Sequence, residues 1–198
     1  SGLLASIGLS FDIETADIDE AALVAPDESD PYVIVERISR AKFDAFPTGR
    51  GHPVLLTADT MVACDGAVLG KPDSSQHLAV MLRQMSGRDL TIATAVCVGP
   101  RGTPPAVEIS STLVVLRELH QSEIDRYVTT GVGMDKAGGL ALQAQAKPFI
   151  HSVSGCWSNV LGLPLCVARR LLLDQRDSAN RTDLSIRCSA DLCGRYDG

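Results

Sequence analysis

Several features that would assign this chain to a simple functional class are missing from its 198 residues. No apolar run is long enough to cross a bilayer and no signal-peptide pattern opens the chain, so we expect a cytoplasmic protein without membrane partners. The 18 basic residues are outnumbered by 24 acidic ones, and the net charge of −6 disfavours binding to a nucleic acid polymer. The net charge does not exclude a small anionic substrate, provided that local basic residues or a divalent cation supply positive charge.

The six cysteines lack the spacing of a metal site or a redox motif. They form no Cys-x-x-Cys pair and no cysteine–histidine cluster with zinc spacing. Those in apolar surroundings, expected to be small core residues, are Cys64, Cys97, Cys156 and Cys166. Cys188 and Cys193 lie in a polar tail and can pair, although reduced thiols are favoured. The glycine-rich segments also lack the Gly-Lys-Ser/Thr ending of a P-loop.

Helices and strands are predicted in mixed order along the chain, which indicates an α/β or α+β fold. Hydrophobic residues at 45% and charged residues at 21% are typical of a globular domain. Helical spacing of apolar residues predicts helices over 3–7, 31–46, 73–85, 122–130 and 163–173. Alternation and apolar runs predict strands over 11–15, 55–62, 89–98, 107–116 and 149–153. We expect one domain over residues 1–173 and a polar, loosely ordered tail over 174–198.

The most informative segment is 57–72. A strand delivers Asp59 and Thr60, a tight Asp-Gly turn follows, and Lys71 is held between a glycine and a proline that set its direction. An acid and an ammonium that converge through a hairpin suit a metal-bound or phosphate-bearing substrate. The alternative is an ordinary hairpin with solvent-facing charges, and the segment alone divides the two interpretations about evenly.

Two further positions combine charge with a suggestive placement. Glu20 stands with Asp19 between a predicted strand and a predicted helix, where it can bind a metal or activate water. Most such acids are simply solvated. Lys42 borders the apolar face of a predicted helix and can hold a phosphate as a point charge, although a snorkelling lysine is the commoner case.

An irregular stretch over 131–145 is rich in glycine and alanine, so we expect a loop around a site. Asp135 and Lys136 give this loop its charge. The amide of Gln143 carries both a donor and an acceptor, which can read the edge of a base. Taken alone, the loop is a weak signal.

Seven ordered stretches of the chain carry a resemblance to a known family. They are Asp17-Ile18-Asp19-Glu20, residues 37–42, Ala58-Asp59-Thr60-Met61-Val62, Leu69-Gly70-Lys71-Pro72, Ser86-Gly87-Arg88, residues 135–139 with Gln143, and residues 158–164. In order and spacing they resemble the Maf family of nucleotide pyrophosphatases, related to the inosine-triphosphate pyrophosphatases. The resemblance implies a two-lobed α/β fold, in which helices flank a central mixed β-sheet and a cleft lies between the lobes.

The resemblance also implies hydrolysis of a nucleoside triphosphate to the monophosphate and pyrophosphate, with Mg²⁺ or Mn²⁺ as the cofactor. Matched position by position, Asp59 is the catalytic carboxylate and Glu20 is a second acid at the metal. Lys42 and Lys71 match phosphate-binding lysines, of which Lys71 is also expected to act in catalysis.

The base preference is implied by the same resemblance. Thr60 and Gln143 match positions that help to set the base in the branch acting on dTTP and UTP, which favours a pyrimidine substrate. Asp135 and Lys136 complete the expected substrate-binding residues. A homodimer is compatible with the resemblance.

The chain also departs from the family pattern. Family members begin with a strand and a Ser-x-Ser-Pro-Arg-Arg loop that binds phosphate, whereas here Ser1 stands where the first helix should be under way. Without those arginines the triphosphate loses bidentate contacts, and without the strand the sheet has an open edge. The alternatives are therefore a catalytically impaired homologue that binds nucleotide, an N-terminally truncated form, or a phosphatase or purine pyrophosphatase on the same scaffold.

Overall fold

The architecture is centred on one six-stranded sheet. The computed structural model describes residues 2–25, 27–46, 54–142, 144–175 and 193–197. The strands are β1 (Val54–Cys64), β2 (Ala67–Leu69), β3 (Asp89–Pro100), β4 (Ala106–Leu116), β5 (Ile150–Cys156) and β6 (Cys193–Asp197). The helices are α1 (Gly2–Ser6), α2 (Pro31–Asp44), α3 (Ser75–Met85), α4 (Gln121–Thr130), α5 (Trp157–Val160) and α6 (Leu165–Asp174). None of these helices is long and apolar enough to cross a membrane.

The strands lie in the order β2-β1-β3-β4-β5-β6. The expected mixed α/β fold class is confirmed, although the described strand pairings are all antiparallel where a mixed sheet was expected. Neighbouring strands run back along each other without the crossover that parallel pairing requires. The short strand β2 pairs only with the last three residues of β1, so the outer edge of β1 before Val62 has no strand partner in the described ranges.

The long strands cross two groups of helices, which gives the protein two lobes. At one end, α3 and α4 pack on the sheet around Leu78, Leu82 and Leu90, all fully buried. At the other end, α6 packs on Val96 and Val98, while α2 covers the opposite face. Because β1 and β3 each contribute residues to both groups, the two lobes share one continuous sheet.

Local signals explain where the helices begin and end. The hydroxyl of Ser74 accepts a hydrogen bond from the backbone N–H of His77 at 3.1 Å and caps α3. The helix predicted over 73–85 therefore begins two residues later, because Ser74 has the extended backbone that a cap requires. Gly131 ends α4 with a φ of 67°, a left-handed conformation that glycine adopts without strain.

Three expectations about the chain need correction. Residues 11–15 form no strand, because they pair with no neighbouring strand of the sheet. Residues 193–197 of the predicted tail form β6 beside β5, while 176–192, which include Cys188, lie outside the described residues. Cys166 is disulfide-bonded, whereas the other three cysteines predicted in apolar surroundings are free.

A fully buried asparagine ties α5 to the sheet. Nδ2 of Asn159 donates to the carbonyl oxygen of Ile92 on β3 at 2.9 Å and to Oγ1 of Thr112 on β4 at 3.0 Å. Oγ1 of Thr112 also accepts a hydrogen bond from the backbone N–H of Cys156 at 3.1 Å. These bonds fix the segment that leads from β5 into α6.

We expect Asn159→Ala to lower the free energy of unfolding by about 2–4 kcal/mol, because it leaves buried polar partners unsatisfied and opens a small cavity. Urea denaturation measures the change. Ser154→Ala on the exposed side of β5 is the control and should change stability by less than about 0.5 kcal/mol. Equal stability of the two variants would contradict the role given to Asn159.

Candidate active site

A lysine held between two carboxylates forms the centre of the candidate site. Nζ of Lys42 lies 2.6 Å from Oδ1 of Asp59 and 2.9 Å from Oε1 of Glu20. The three residues come from α2, from β1 and from the loop before α2, so the contact joins distant parts of the chain. The structure thus brings together three residues that the sequence placed in the site.

The local structure explains how these side chains meet. The hydroxyl of Thr57 donates to the carbonyl oxygen of Ser39 at 2.8 Å, which fixes α2 against β1 three residues before Lys42. Near Glu20, Oδ1 of Asp19 accepts a hydrogen bond from the backbone N–H of Ala22 at 3.2 Å. Asp19 therefore stabilises the turn, and the neighbouring Glu20 is free to reach Lys42.

Burial and pairing act in opposite directions on the two buried charges. Burial raises the pKa of Asp59, which is only 9% exposed, and the hydrogen bond from Lys42 offsets part of that increase. Burial alone lowers the pKa of Lys42, but its hydrogen bonds to Asp59 and Glu20 more than compensate and leave that pKa raised. Lys42 is therefore a cation at neutral pH, and Asp59 is a stronger base than an ordinary aspartate.

The two carboxylates fit a divalent cation. Oδ2 of Asp59 is buried and has no hydrogen-bond partner, and the side chain of Glu20 is half exposed. In the described ranges no group of three or more histidine, cysteine or acidic residues could hold a metal by itself. Mg²⁺ is commonly bound by one or two carboxylates together with substrate phosphates, and Asp59 and Glu20 are the two residues here that would hold it in that way.

Lys71 lies beside this centre at the end of the hairpin. β2 ends at Leu69, opposite Val62, so the exposed Lys71 follows the point where pairing with β1 stops. Its charge contributes to lowering the pKa of Asp135, after the larger effect of the hydrogen bond from Lys136, and it also acts on Asp59. Lys71 therefore lies within electrostatic reach of both Asp59 and the loop after α4.

That loop is held against the hairpin by backbone contacts. The N–H of Gly138 donates to the carbonyl oxygen of Gly70 at 3.0 Å. The hydroxyl of Tyr127 donates to the carbonyl oxygen of Gly139 at 2.9 Å and accepts from the N–H of Ala141 at 2.8 Å. A Cβ at Gly133 would lie 2.2 Å from the Gly139 oxygen, so only glycine fits there.

The remaining predicted residues are placed less centrally. Asp135 and Lys136 form an ion pair with each other at 2.7 Å near the surface. Gln143 lies outside the described residues. Thr60 follows Asp59 in β1 and therefore points to the opposite face of the sheet, where Oγ1 lies 2.9 Å from Oγ1 of Thr94.

A cavity of about 710 Å³ opens beside the centre. Glu20 and Lys42 line it, together with residues 9–16 and the first five residues of β1. Its size is typical of small-molecule sites. Arg101 also lines this cavity. Sequence reasoning missed this residue, because a single arginine in a loop of prolines and glycines follows no motif.

Comparisons with known proteins identify similar chains of nearly the same length. A protein of Moorella thermoacetica named dTTP/UTP pyrophosphatase is 40% identical over 172 residues, which cover 86% of this chain and 87% of that protein. Proteins of the same name from Syntrophomonas wolfei and Anaeromyxobacter dehalogenans are 37% and 40% identical, over 82% and 86% of this chain and 85% and 86% of their own lengths. The family described as Maf-like protein matches residues 1–175, and the chain belongs to this family.

Proposed function

We propose that the chain hydrolyses nucleoside triphosphates to the monophosphate and pyrophosphate, with dTTP and UTP as the preferred substrates. The observation that carries this proposal is the contact of Lys42 with Asp59 and Glu20 at the edge of an open cavity. It unites a buried base, a fixed cation and a pair of metal-binding oxygens. The names of the three similar proteins support the same reaction and the same bases.

In this reaction Asp59 orients the attacking water and accepts its proton. Its raised pKa favours that role, since a general base works best when its pKa lies closer to the working pH. Attack on the α-phosphorus releases pyrophosphate, whose developing charge is stabilised by Lys42, while Lys71 offsets negative charge on the α-phosphate oxygens. A divalent cation held by Asp59 and Glu20 would supply further positive charge at the phosphate oxygens.

Base preference is proposed to come from the loop after α4. Gln143 can hydrogen-bond to a pyrimidine edge, and Asp135 and Lys136 lie in the same loop. Thr60 acts on the base indirectly, because its hydroxyl also donates to the carbonyl oxygen of Gly162 at 3.3 Å and so positions the segment after α5. The net charge of −6 supports a small nucleotide over a polymer as the substrate.

We expect Asp59→Asn to reduce pyrophosphate release from dTTP and UTP by at least about a hundredfold, because it removes the base and a metal ligand at nearly constant volume. The assay uses the full chain with Mg²⁺ or Mn²⁺, and circular dichroism verifies the fold. Asp65→Asn, in the exposed turn of the same hairpin, is the matched control and should retain activity. Turnover of Asp59→Asn at the rate of the unmodified chain would sink the proposal, and release of orthophosphate alone would indicate a phosphatase.

A second prediction concerns the pH profile. Since Lys42 opposes the increase in the pKa of Asp59, Lys42→Met should raise that pKa further. The acidic limb of kcat/KM should then move to higher pH, because Asp59 is protonated over a wider range. Arg40→Met, which removes an exposed ion pair on the same helix, should leave the limb in place. A limb that stays in place in Lys42→Met would show that Asp59 is not the titrating base.

A third prediction concerns specificity. Gln143→Ala should change the ratio of the kcat/KM values for UTP and CTP by a larger factor than the factor by which it lowers the higher of these two values. The reason is that it removes contacts to the nucleobase and leaves the reacting phosphate untouched. Parallel assays with UTP, CTP, GTP and ITP measure the ratios. Equal loss on all four nucleotides would make Gln143 a structural residue.

A further inference from the structure

Arg101 is a buried cation that the proposed chemistry has not used. It follows β3 in the loop that leads to β4, and only 8% of its side chain is exposed. It lines the same cavity as Lys42 and Glu20. Charged side chains are seldom buried to this extent without several partners, so its position calls for an explanation.

The partners of Arg101 are few. Nη2 donates to Oε1 of Glu14 at 2.5 Å, which is the one hydrogen bond of this guanidinium with the described residues. Nε is buried without a partner, and the guanidinium carbon lies 5.2 Å from the ring centre of Phe46. A guanidinium carries five N–H donors, so donors remain free beside the cavity. A stacked, partly satisfied arginine is suited to binding an anion in two-point geometry.

The sheet places Arg101 in line with the catalytic centre. Pro100, just before Arg101, pairs with Val54 at the start of β1, five residues from Asp59. At about 3.3 Å per residue this separation is about 17 Å along the strand. The cavity lies along this part of β1, whose outer edge has no strand partner in the described ranges. Lys71 and the loop after α4 lie near the opposite end of β1, where β2 pairs with it.

We propose that Arg101 binds the two terminal phosphates, the pyrophosphate portion of the substrate. This inference rests on the proposed function. In this arrangement the nucleobase lies at the loop after α4 and the α-phosphorus lies at Asp59. The β- and γ-phosphates then extend past Lys42 into the cavity toward Arg101. Arg101 then acts on the leaving group and not on the nucleoside.

The charges of the cavity refine this proposal. Its lining contains the cations Lys42 and Arg101 and the acids Asp12, Glu14 and Glu20, a balance of two against three. A bare polyphosphate would be repelled, so pyrophosphate should bind as its Mg²⁺ complex. Glu14 is 45% exposed, so its carboxylate can turn into solvent when a phosphate takes its place, and the buried guanidinium of Arg101 then keeps an anionic partner.

The test is calorimetric binding of Mg²⁺-pyrophosphate and of UMP to the full chain. Arg101→Gln should weaken pyrophosphate binding about tenfold to a hundredfold, the usual effect of losing a charge-assisted contact, and should leave UMP binding unchanged. Arg170→Gln removes an arginine–glutamate pair outside the cavity and is the matched control, with no change expected. Pyrophosphate binding unchanged in Arg101→Gln, or equal losses for pyrophosphate and UMP, would overturn the proposal.

Glu14→Gln separates binding from a structural role. If Arg101 serves only to anchor residues 9–16, losing Glu14 should be as harmful as losing Arg101. If Arg101 binds phosphate, Glu14→Gln should bind pyrophosphate at least as tightly as the unmodified chain does. This variant decides the matter even if Arg101→Gln fails to fold.

The outcome is also separable from that of the proposed function. Nucleotide hydrolysis by the unmodified chain with no effect of Arg101→Gln on pyrophosphate binding would overturn the phosphate subsite alone. Loss of pyrophosphate binding in Arg101→Gln without any hydrolysis by the unmodified chain would keep the subsite and overturn the enzymatic assignment.

Discussion

The buried carboxylate of Asp59 is the constraint on which the rest of the site depends. A charge with so little exposure is costly unless a counter-charge lies within contact distance, and Lys42 supplies it at 2.6 Å. That lysine comes from α2, and the hydrogen bond from Thr57 to the carbonyl oxygen of Ser39 holds this helix on β1 in the position that brings Lys42 to Asp59. Glu20 completes the charge balance from the surface side, where its half-exposed side chain can exchange partners more easily than Asp59.

The site combines a residue on a central strand with residues on connecting segments. β1 and β3 run through both lobes, so the strand that carries Asp59 is anchored by the core clusters on both sides of it. Glu20, Lys71 and the loop after α4 approach it from connecting segments, where a substrate can be accommodated. Asn159 and Tyr127 hold two of the neighbouring segments through buried hydrogen bonds. Neither residue is assigned a part in the reaction, yet each positions a segment next to residues that are.

Sequence reasoning succeeded where the determinants are local. The hairpin with its Asp-Gly turn and the helices predicted over 73–85 and 122–130 depend on neighbours along the chain, and all are present in the structure. The meeting of Glu20 with Lys42 depends on tertiary packing, and only the family resemblance pointed to it. The opposite orientations of Asp59 and Thr60 follow from the alternation of side chains along a strand. The role of Arg101 depends on which residues line the cavity, and no local sequence pattern encodes that set.

The shortness of β2 has a consequence for how the protein behaves at high concentration. Beyond that three-residue strand, backbone groups of β1 face outward, and an exposed strand edge can template pairing with another chain. Residues 9–16 lie across the same cavity and carry Asp12 and Glu14. Carboxylates on a segment beside an open edge disfavour the approach of a second copy of the same edge, because like charges would then meet.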